Sequence, residues 1–193
     1  AEDFVASVKA LKLGSGDDLM VRINSPGGSL FDGTTIYNYL RSVKPKVTVR
    51  IDGVAASAAS IVAMAGDRIE MPENSFLFIH NPWMFAMGDA ATMRKTADDL
   101  DQMREGAVAT YLRRTGDKLS REKLMEMLDA ETWLTADQSV QYGFADTVDE
   151  PVRAAALTRF DLNQYGYSIP AGIENARAED LARRREHIRR LKS

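Results

Sequence analysis

The stretch "IDGVAASAASIVAMAG", Ile51 to Gly66, sets two serines, Ser57 and Ser60, among residues that are nearly all small or apolar. Just before it, "KVTVRI" is rich in β-branched residues and reads as a strand. A serine in such surroundings has one of two uses: it fills space in a buried helix, or it is a nucleophile set where other chains come close. A bulky side chain anywhere from Val54 to Ala59 would keep a carbonyl away from Ser57, and a helix that begins at the serine turns its first N–H groups toward an anion. The small residues therefore mark a turn between strand and helix, and the flanking segments must decide what the serine does there.

Upstream, "AEDFVASVKAL" carries Phe4, Val5, Val8 and Leu11 at helical spacing, and "LMVRINSPGG" reads as a buried strand stopped by Pro26-Gly27-Gly28. "SLFDGTTIYNYLRSV" is helical, with Leu30, Ile36, Tyr37 and Leu40 on one side, so the first 51 residues contain a β-turn-α-β unit. Downstream, "RIEMP" and "SFLFIHNP" read as two short strands, the second ending at His80. A loop with Trp83, Met84, Phe85 and Met87 leads to Asp89, the expected N-cap of a long helix that Gly116 ends. Met93, Leu100, Met103, Val108, Tyr111 and Leu112 form its rough apolar stripe, and its length predicts projection beyond the core. Ser120 and Thr135 open two further helices with capping-box-like spacing, and "FADTV" supplies a last strand. The expected division is one domain over 1–149, then a linker and a basic helical tail over 150–193.

Composition narrows the functions. A chain of 193 residues, 45% hydrophobic, is long enough for one domain with a substantial core. With no cysteine and only His80 and His187 as histidines, disulfide stapling and a zinc cluster drop out, and no cofactor or metal is expected. The net charge of -3 is mixed in sign, so no nucleic-acid surface is expected, although "RAEDLARRREHIRRLKS" is locally basic. No apolar run approaches the roughly 20 residues that span a bilayer, and "AEDFVASV" is not a signal peptide. A cytoplasmic protein without membrane contact is expected, and the missing initiator Met suggests a processed or trimmed start.

Three features stand at strand ends: the Gly pair after the first strand, a serine after the second and a histidine after a later one. In strand-and-helix folds such ends face a common crevice. Acyl transfer by a serine needs a base within hydrogen-bond reach, a group that orients the base, and N–H donors for the developing oxyanion. Gly27, Gly28 and Ala58 are candidate donors. Singly, each feature has an ordinary reading: Pro26-Gly27-Gly28 as a turn, Ser57 and Ser60 as packing residues, His80 as a strand-end histidine bonded to backbone.

Together and in order, "INSPGGSLFDG", "GVAASAAS", "FIHNPW" and "ETWLTADQSVQYGFAD" resemble the Clp protease proteolytic subunit and its relatives, the Clp-type head-maturation proteases of tailed phages and prophages. The likeness runs from about Leu19 to Asp146. It implies an α/β fold, a crotonase-like superhelix of stacked ββα units with a long "handle" helix after His80. It also implies Ser57 as nucleophile, His80 as base, and the backbone N–H groups of Gly27 and Ala58 as oxyanion donors. The third group falls first on Glu131, where the cellular enzyme carries Asp, and second on Asp129. Other departures are Ala58-Ala59 in place of Met-Gly and "NPW" in place of Gln-Pro, and the phage-type relatives look nearer.

The resemblance implies a serine endopeptidase acting on unfolded or capsid-associated polypeptides inside a homo-oligomeric ring or double ring, with an ATP-dependent unfoldase or phage capsid proteins as further partners. The competing readings are an acyl-CoA hydratase or isomerase of the crotonase superfamily, which needs no Ser-His pair, and a catalytically inactive assembly subunit. On the peptidase reading Ser60 is dispensable, and its replacement by Ala is expected to be nearly silent.

Overall fold

The computed structural model describes residues 1–150, so the linker and basic tail expected over 150–193 fall, but for their first residue, outside the described residues. The elements run α1 (Glu2–Ala10), β1 (Asp18–Ser25), α2 (Leu30–Ser42), β2 (Lys46–Ala56), α3 (Ala58–Ala63), β3 (Arg68–Pro72) and β4 (Phe76–Ile79). They continue with α4 (Ala90–Thr115), a 3-10 turn (Gly116–Lys118), α5 (Arg121–Asp129), β5 (Thr132–Thr135), α6 (Ala136–Gln141) and β6 (Thr147–Asp149).

β2 organises the sheet because its two halves have different neighbours. On one side it pairs in parallel with β1, from Asp18 against Lys46 to Ile23 against Ile51, with a register shift before Ser25 meets Ala55. On the other, Thr48–Arg50 pairs with Arg68–Glu70 of β3, and Val54–Ala56 pairs with Phe76–Phe78 of β4. Asp52 and Gly53 lie between these two ladders, and there the sheet curls from one set of strands into the other. β6 adds in parallel to β3, and β5 adds antiparallel to β4. These are stacked strand-strand-helix units with one long helix attached, the architecture that the motifs imply.

β2, β3 and β4 are buried along most of their length, which is why they read as β-branched and apolar runs, whereas β1 alternates buried and exposed residues and turns one face to solvent. Val47, Val49, Ile51, Ile69, Leu77 and Ile79 are almost wholly enclosed and meet Leu40 of α2, Leu124 and Leu128 of α5, and Phe144. Each such side chain stabilises the fold by about 1.5–3 kcal/mol relative to exposure. Local signals set the helix starts. Ser29, Asp89 and Ser120 accept from the N–H three residues on, while Thr135 and Gln138 form a reciprocal capping box.

α4 has 26 residues, a length of about 39 Å at 1.5 Å per residue. Only Ala107, Val108, Tyr111 and Thr115, all in its C-terminal half, are buried, and Met93 of the expected stripe is exposed. Among the described residues, therefore, the core covers only the C-terminal half of the helix. No helix among the described residues is long and apolar enough to cross a membrane.

Two local expectations change. The turn expected from Val54 onward is strand as far as Ala56, because the small residues there pair with β4 on one side and meet the end of β1 on the other. β5 is an additional strand. Its four residues pair with the whole of β4, a tertiary contact that so short a segment does not announce by periodicity.

Candidate active site

Ser57 is the first residue after β2, and His80 the first after β4. The two strands are parallel neighbours with Ala56 in register with Phe78, so both residues leave the sheet at the same edge. The Ser57 N–H donates to the Phe78 carbonyl at 3.0 Å, which extends the ladder by one bond and fixes the serine beside the end of β4.

The backbone at Ser57 is strained, with φ 54° and ψ -127°, a conformation rare for any residue with a Cβ. Such a residue costs about 1–3 kcal/mol and persists only where its surroundings over-determine it. The surroundings here are specific. The Ser57 carbonyl accepts from the Ser60 N–H at 2.9 Å and from Ser60 Oγ at 2.6 Å, and Ser60 Oγ also lies 2.6 Å from the Tyr111 hydroxyl of α4. Ser60 is thus hydrogen-bonded into the turn and does more than fill space beside it. The strained strand-to-helix turn lifts the Ser57 side chain out of the packed layer, and Ser57 keeps partial exposure between buried Ala56 and Ala58.

The Pro26-Gly27-Gly28 turn at the end of β1 closes on this serine. At Gly27, with φ 96°, an added Cβ would lie 2.6 Å from the Ala56 carbonyl oxygen, 2.8 Å from Ser57 Cβ and 3.0 Å from the Ala58 nitrogen. Only glycine fits so close to the Ser57 backbone. The Gly27 N–H donates to Ser25 Oγ at 3.2 Å, while Gly28 is exposed with open space around its Cα. Ala58 opens α3, so its N–H has no acceptor within the helix. Gly33 of α2 seats α3 from behind: a Cβ there would come within 2.9 Å of the Ala58 carbonyl oxygen.

His80 is partly buried, its ring stacked on Phe78 at 5.2 Å, and Phe78 in turn is stacked on its cross-strand partner Trp133 at 4.5 Å. Burial pushes the imidazole below its ordinary pKa; the charge of Glu131 and a backbone hydrogen bond to Asn81 act the other way. The β4–β5 register accounts for the Glu131 effect. The last pair is Ile79 with Thr132, and one step further along the two chains come His80 and Glu131. Glu131 itself has φ 50°, a second strained residue, at the tight entry from α5 to β5.

Asp129 is engaged elsewhere. Its Oδ1 accepts from Arg104 Nη2 at 2.7 Å and from Asn81 Nδ2 at 2.8 Å. The structure therefore gathers Ser57, Gly27 and Ala58 at one sheet edge, sets His80 at the adjoining strand end under the influence of Glu131, and ties Asp129 to α4. Arg104 escapes the sequence reading, as do the bond from Tyr111, read only as part of the helix stripe, to Ser60 and the stacking of Trp133, read only within its motif, on Phe78. Tyr111 and Arg104 look like ordinary helix residues, and only the capped Thr135 hinted that the chain before it was extended.

The geometry agrees with the comparisons to known proteins. Residues 1–151 match the Clp protease family model. The chain is 32% identical over 143 residues to the ATP-dependent Clp protease proteolytic subunit 1 of Synechococcus sp. (strain CC9902), covering 72% of each chain. It is 34% identical over 155 residues to the protein of the same name from Bifidobacterium longum (strain NCC 2705), covering 78% of this chain and 65% of that one. With residues 1–151 of its 193 matched, the chain belongs to the Clp protease family.

Proposed function

We propose that the chain is a serine endopeptidase of the Clp type, with Ser57 as nucleophile, His80 as general base and Glu131 as the acid that orients the imidazole. The observation that carries this reading is the strained Ser57 at the end of β2, one parallel strand from His80 at the end of β4. A fold keeps such strain where a reactive group must protrude.

The reaction follows from these placements. Ser57 Oγ attacks the scissile carbonyl as its proton passes to neutral His80, and Glu131 stabilises the resulting imidazolium. The oxyanion meets the Ala58 N–H and a donor from the glycine turn. Because the Gly27 N–H rests on Ser25 Oγ, it either exchanges that bond for the charged oxygen or leaves the place to the Gly28 N–H beside it. His80 returns the proton to the leaving amine, and water, deprotonated by the same imidazole, releases the acyl group from Ser57. No step needs a metal or cofactor.

The substrates are unfolded or capsid-associated polypeptides, bound as extended backbone. The enzyme works as a homo-oligomeric ring or double ring in the cytoplasm, with an ATP-dependent unfoldase or phage capsid proteins as partners. The half-bare α4 and the exposed loop before it support self-association. A fluorophosphonate probe tests the chemistry: labelling at Ser57 that disappears in Ser57→Ala and depends on His80 is the expected result. Absence of labelling in an assembled, folded chain would favour the inactive-subunit reading, and acyl-CoA turnover independent of Ser57 the crotonase one.

A further inference from the structure

Ser60 and Tyr111 take no part in the chemistry just described, yet they are buried and joined to it. Ser60 Oγ lies 2.6 Å from the Ser57 carbonyl oxygen and 2.6 Å from Tyr111 Oη. A serine hydroxyl has one proton. The carbonyl can only accept, so Ser60 donates there, and Tyr111 must donate to Ser60. Burial raises the Tyr111 pKa well above that of an ordinary phenol, which keeps the proton in place at any working pH. The result is a directed chain: Tyr111 O–H to Ser60 Oγ, and Ser60 O–H to the Ser57 carbonyl, where the Ser60 N–H adds a second bond at 2.9 Å.

The Ser57 carbonyl and the Ala58 N–H belong to one planar peptide unit. Fixing the oxygen therefore fixes the direction of the N–H, and hydrogen bonds accepted at the oxygen polarise the unit so that its N–H donates more strongly. We propose that Ser60 and Tyr111 are positioning residues that hold and polarise the Ser57–Ala58 peptide as an oxyanion donor, tying the active-site turn to the long helix α4. The inference rests on the serine peptidase reading and adds to it a device that acts on the transition state and leaves substrate binding alone.

The test is steady-state hydrolysis of a fluorogenic peptide by the assembled wild-type chain, Tyr111→Phe, Ser60→Ala and the double variant, each shown by thermal melting to be folded at the assay temperature. Tyr111→Phe keeps the ring, which packs edge-on to Phe144 at 5.7 Å, and removes only the hydroxyl that donates to Ser60. The expected loss in kcat is about 3–10-fold for Tyr111→Phe and about 10–100-fold for Ser60→Ala, below the roughly 10²–10³ seen when an oxyanion donor is removed outright. KM should stay unchanged. In the Ser60→Ala background, Tyr111→Phe should lower kcat no further, because the tyrosine reaches the carbonyl only through Ser60.

Affinity for a peptide aldehyde, which forms a tetrahedral adduct on Ser57, should fall by the same factors as kcat/KM, while binding of uncleaved peptide to Ser57→Ala chains carrying the same changes stays constant. Full kcat in folded Tyr111→Phe, losses confined to KM, or additive effects in the double variant would overturn the inference alone. A wild-type chain without Ser57-dependent hydrolysis would instead remove the peptidase reading, and this inference with it.

Discussion

Arg104 holds the Asp129 carboxylate at 2.7 Å, and Asn81 donates to the same oxygen at 2.8 Å. Of the two acids near the entry to β5, Glu131 is the one whose charge acts on His80. Glu131→Gln should therefore lower kcat by about 10² to 10⁴-fold, the range for a triad acid that no longer stabilises imidazolium. Asp129→Asn should cost less than about tenfold, through loosened packing of α4 on α5. Peptide hydrolysis by the two variants decides it: a larger loss for Asp129→Asn moves the acid to that residue, and mild effects from both point to a Ser-His dyad.

Ser57→Ala should abolish hydrolysis, a loss on the order of 10⁴ to 10⁶, and leave assembly intact. Ser57→Gly should be as inactive but more stable than Ser57→Ala by about 1 kcal/mol, because glycine alone adopts φ 54° without steric cost. Denaturant melts of the two inactive variants read the difference. Equal stability would mean that the turn relaxes when the hydroxyl is gone.

The turn at Gly27 is predicted to tolerate no side chain. Gly27→Ala drives a methyl to 2.6 Å from the Ala56 carbonyl in a left-handed conformation, so it should destabilise by about 1–3 kcal/mol through overpacking. It should also depress kcat by disturbing the Ser57 turn, whereas Gly28→Ala, with open space around it, should be milder in stability. Melting and kinetics measured on both variants check the contrast.

His80 gives the pH dependence its sign. The ring must be neutral to act as base, and burial holds its pKa below the ordinary value, so the acid limb of kcat/KM should lie below about pH 6.5. Glu131→Gln removes an influence that favours imidazolium and should shift the limb further toward acid. The same depression makes His80 contribute stability above the unfolded-chain value, lost as pH falls through the folded value. A limb centred above pH 6.5 in the wild type would contradict the burial argument.

Much of this was legible because local chemistry repeats at strand and helix ends. The β-branched run of β2, the caps Asp89, Ser120 and Thr135, and the glycine stop after β1 all act within a few residues and leave marks in sequence. What escaped depends on distant contacts. The Ser60–Tyr111 bond joins residues 51 positions apart, and neither side chain is unusual for a helix. β5 exists because β4 offers an edge to Trp133 and Leu134, and the extension of β2 through Ala56 exists because β1 and β4 both press on it. The acid was ambiguous for the same reason: Glu131 and Asp129 differ in what folds beside them, which spacing does not reveal.

Self-association should be visible directly. The first four turns of α4 have no buried residue, and Phe31, Trp83 and Met93 are exposed, so the described residues leave apolar surface for a partner subunit to cover. Sedimentation at micromolar concentration should show a species far above the 21.4 kDa chain mass. A stable monomer that still cleaves peptides would refute the ring.

The substrate should be read mainly through its backbone. Gly28, which follows β1, has open space where a side chain would stand, so a peptide can add there beside Ser57 as an extended strand, and side-chain selection should be modest. Trp83, Met84, Phe85 and Met87 follow His80 directly. Phe85 and Met87 are 91% and 96% exposed, and Trp83 packs edge-on to Phe85 at 5.4 Å. Such a loop either lines a pocket for an apolar residue before the cut or meets a neighbouring subunit, and adaptable methionine suits tolerance in both. A peptide library should show broad cleavage after hydrophobic residues, with folded proteins spared. A shift in that preference by Met84→Ala or Phe85→Ala at unchanged sedimentation assigns the loop to substrate, a smaller assembly at unchanged preference assigns it to the subunit contact, and strict selection of a charged residue before the cut would defeat the backbone reading.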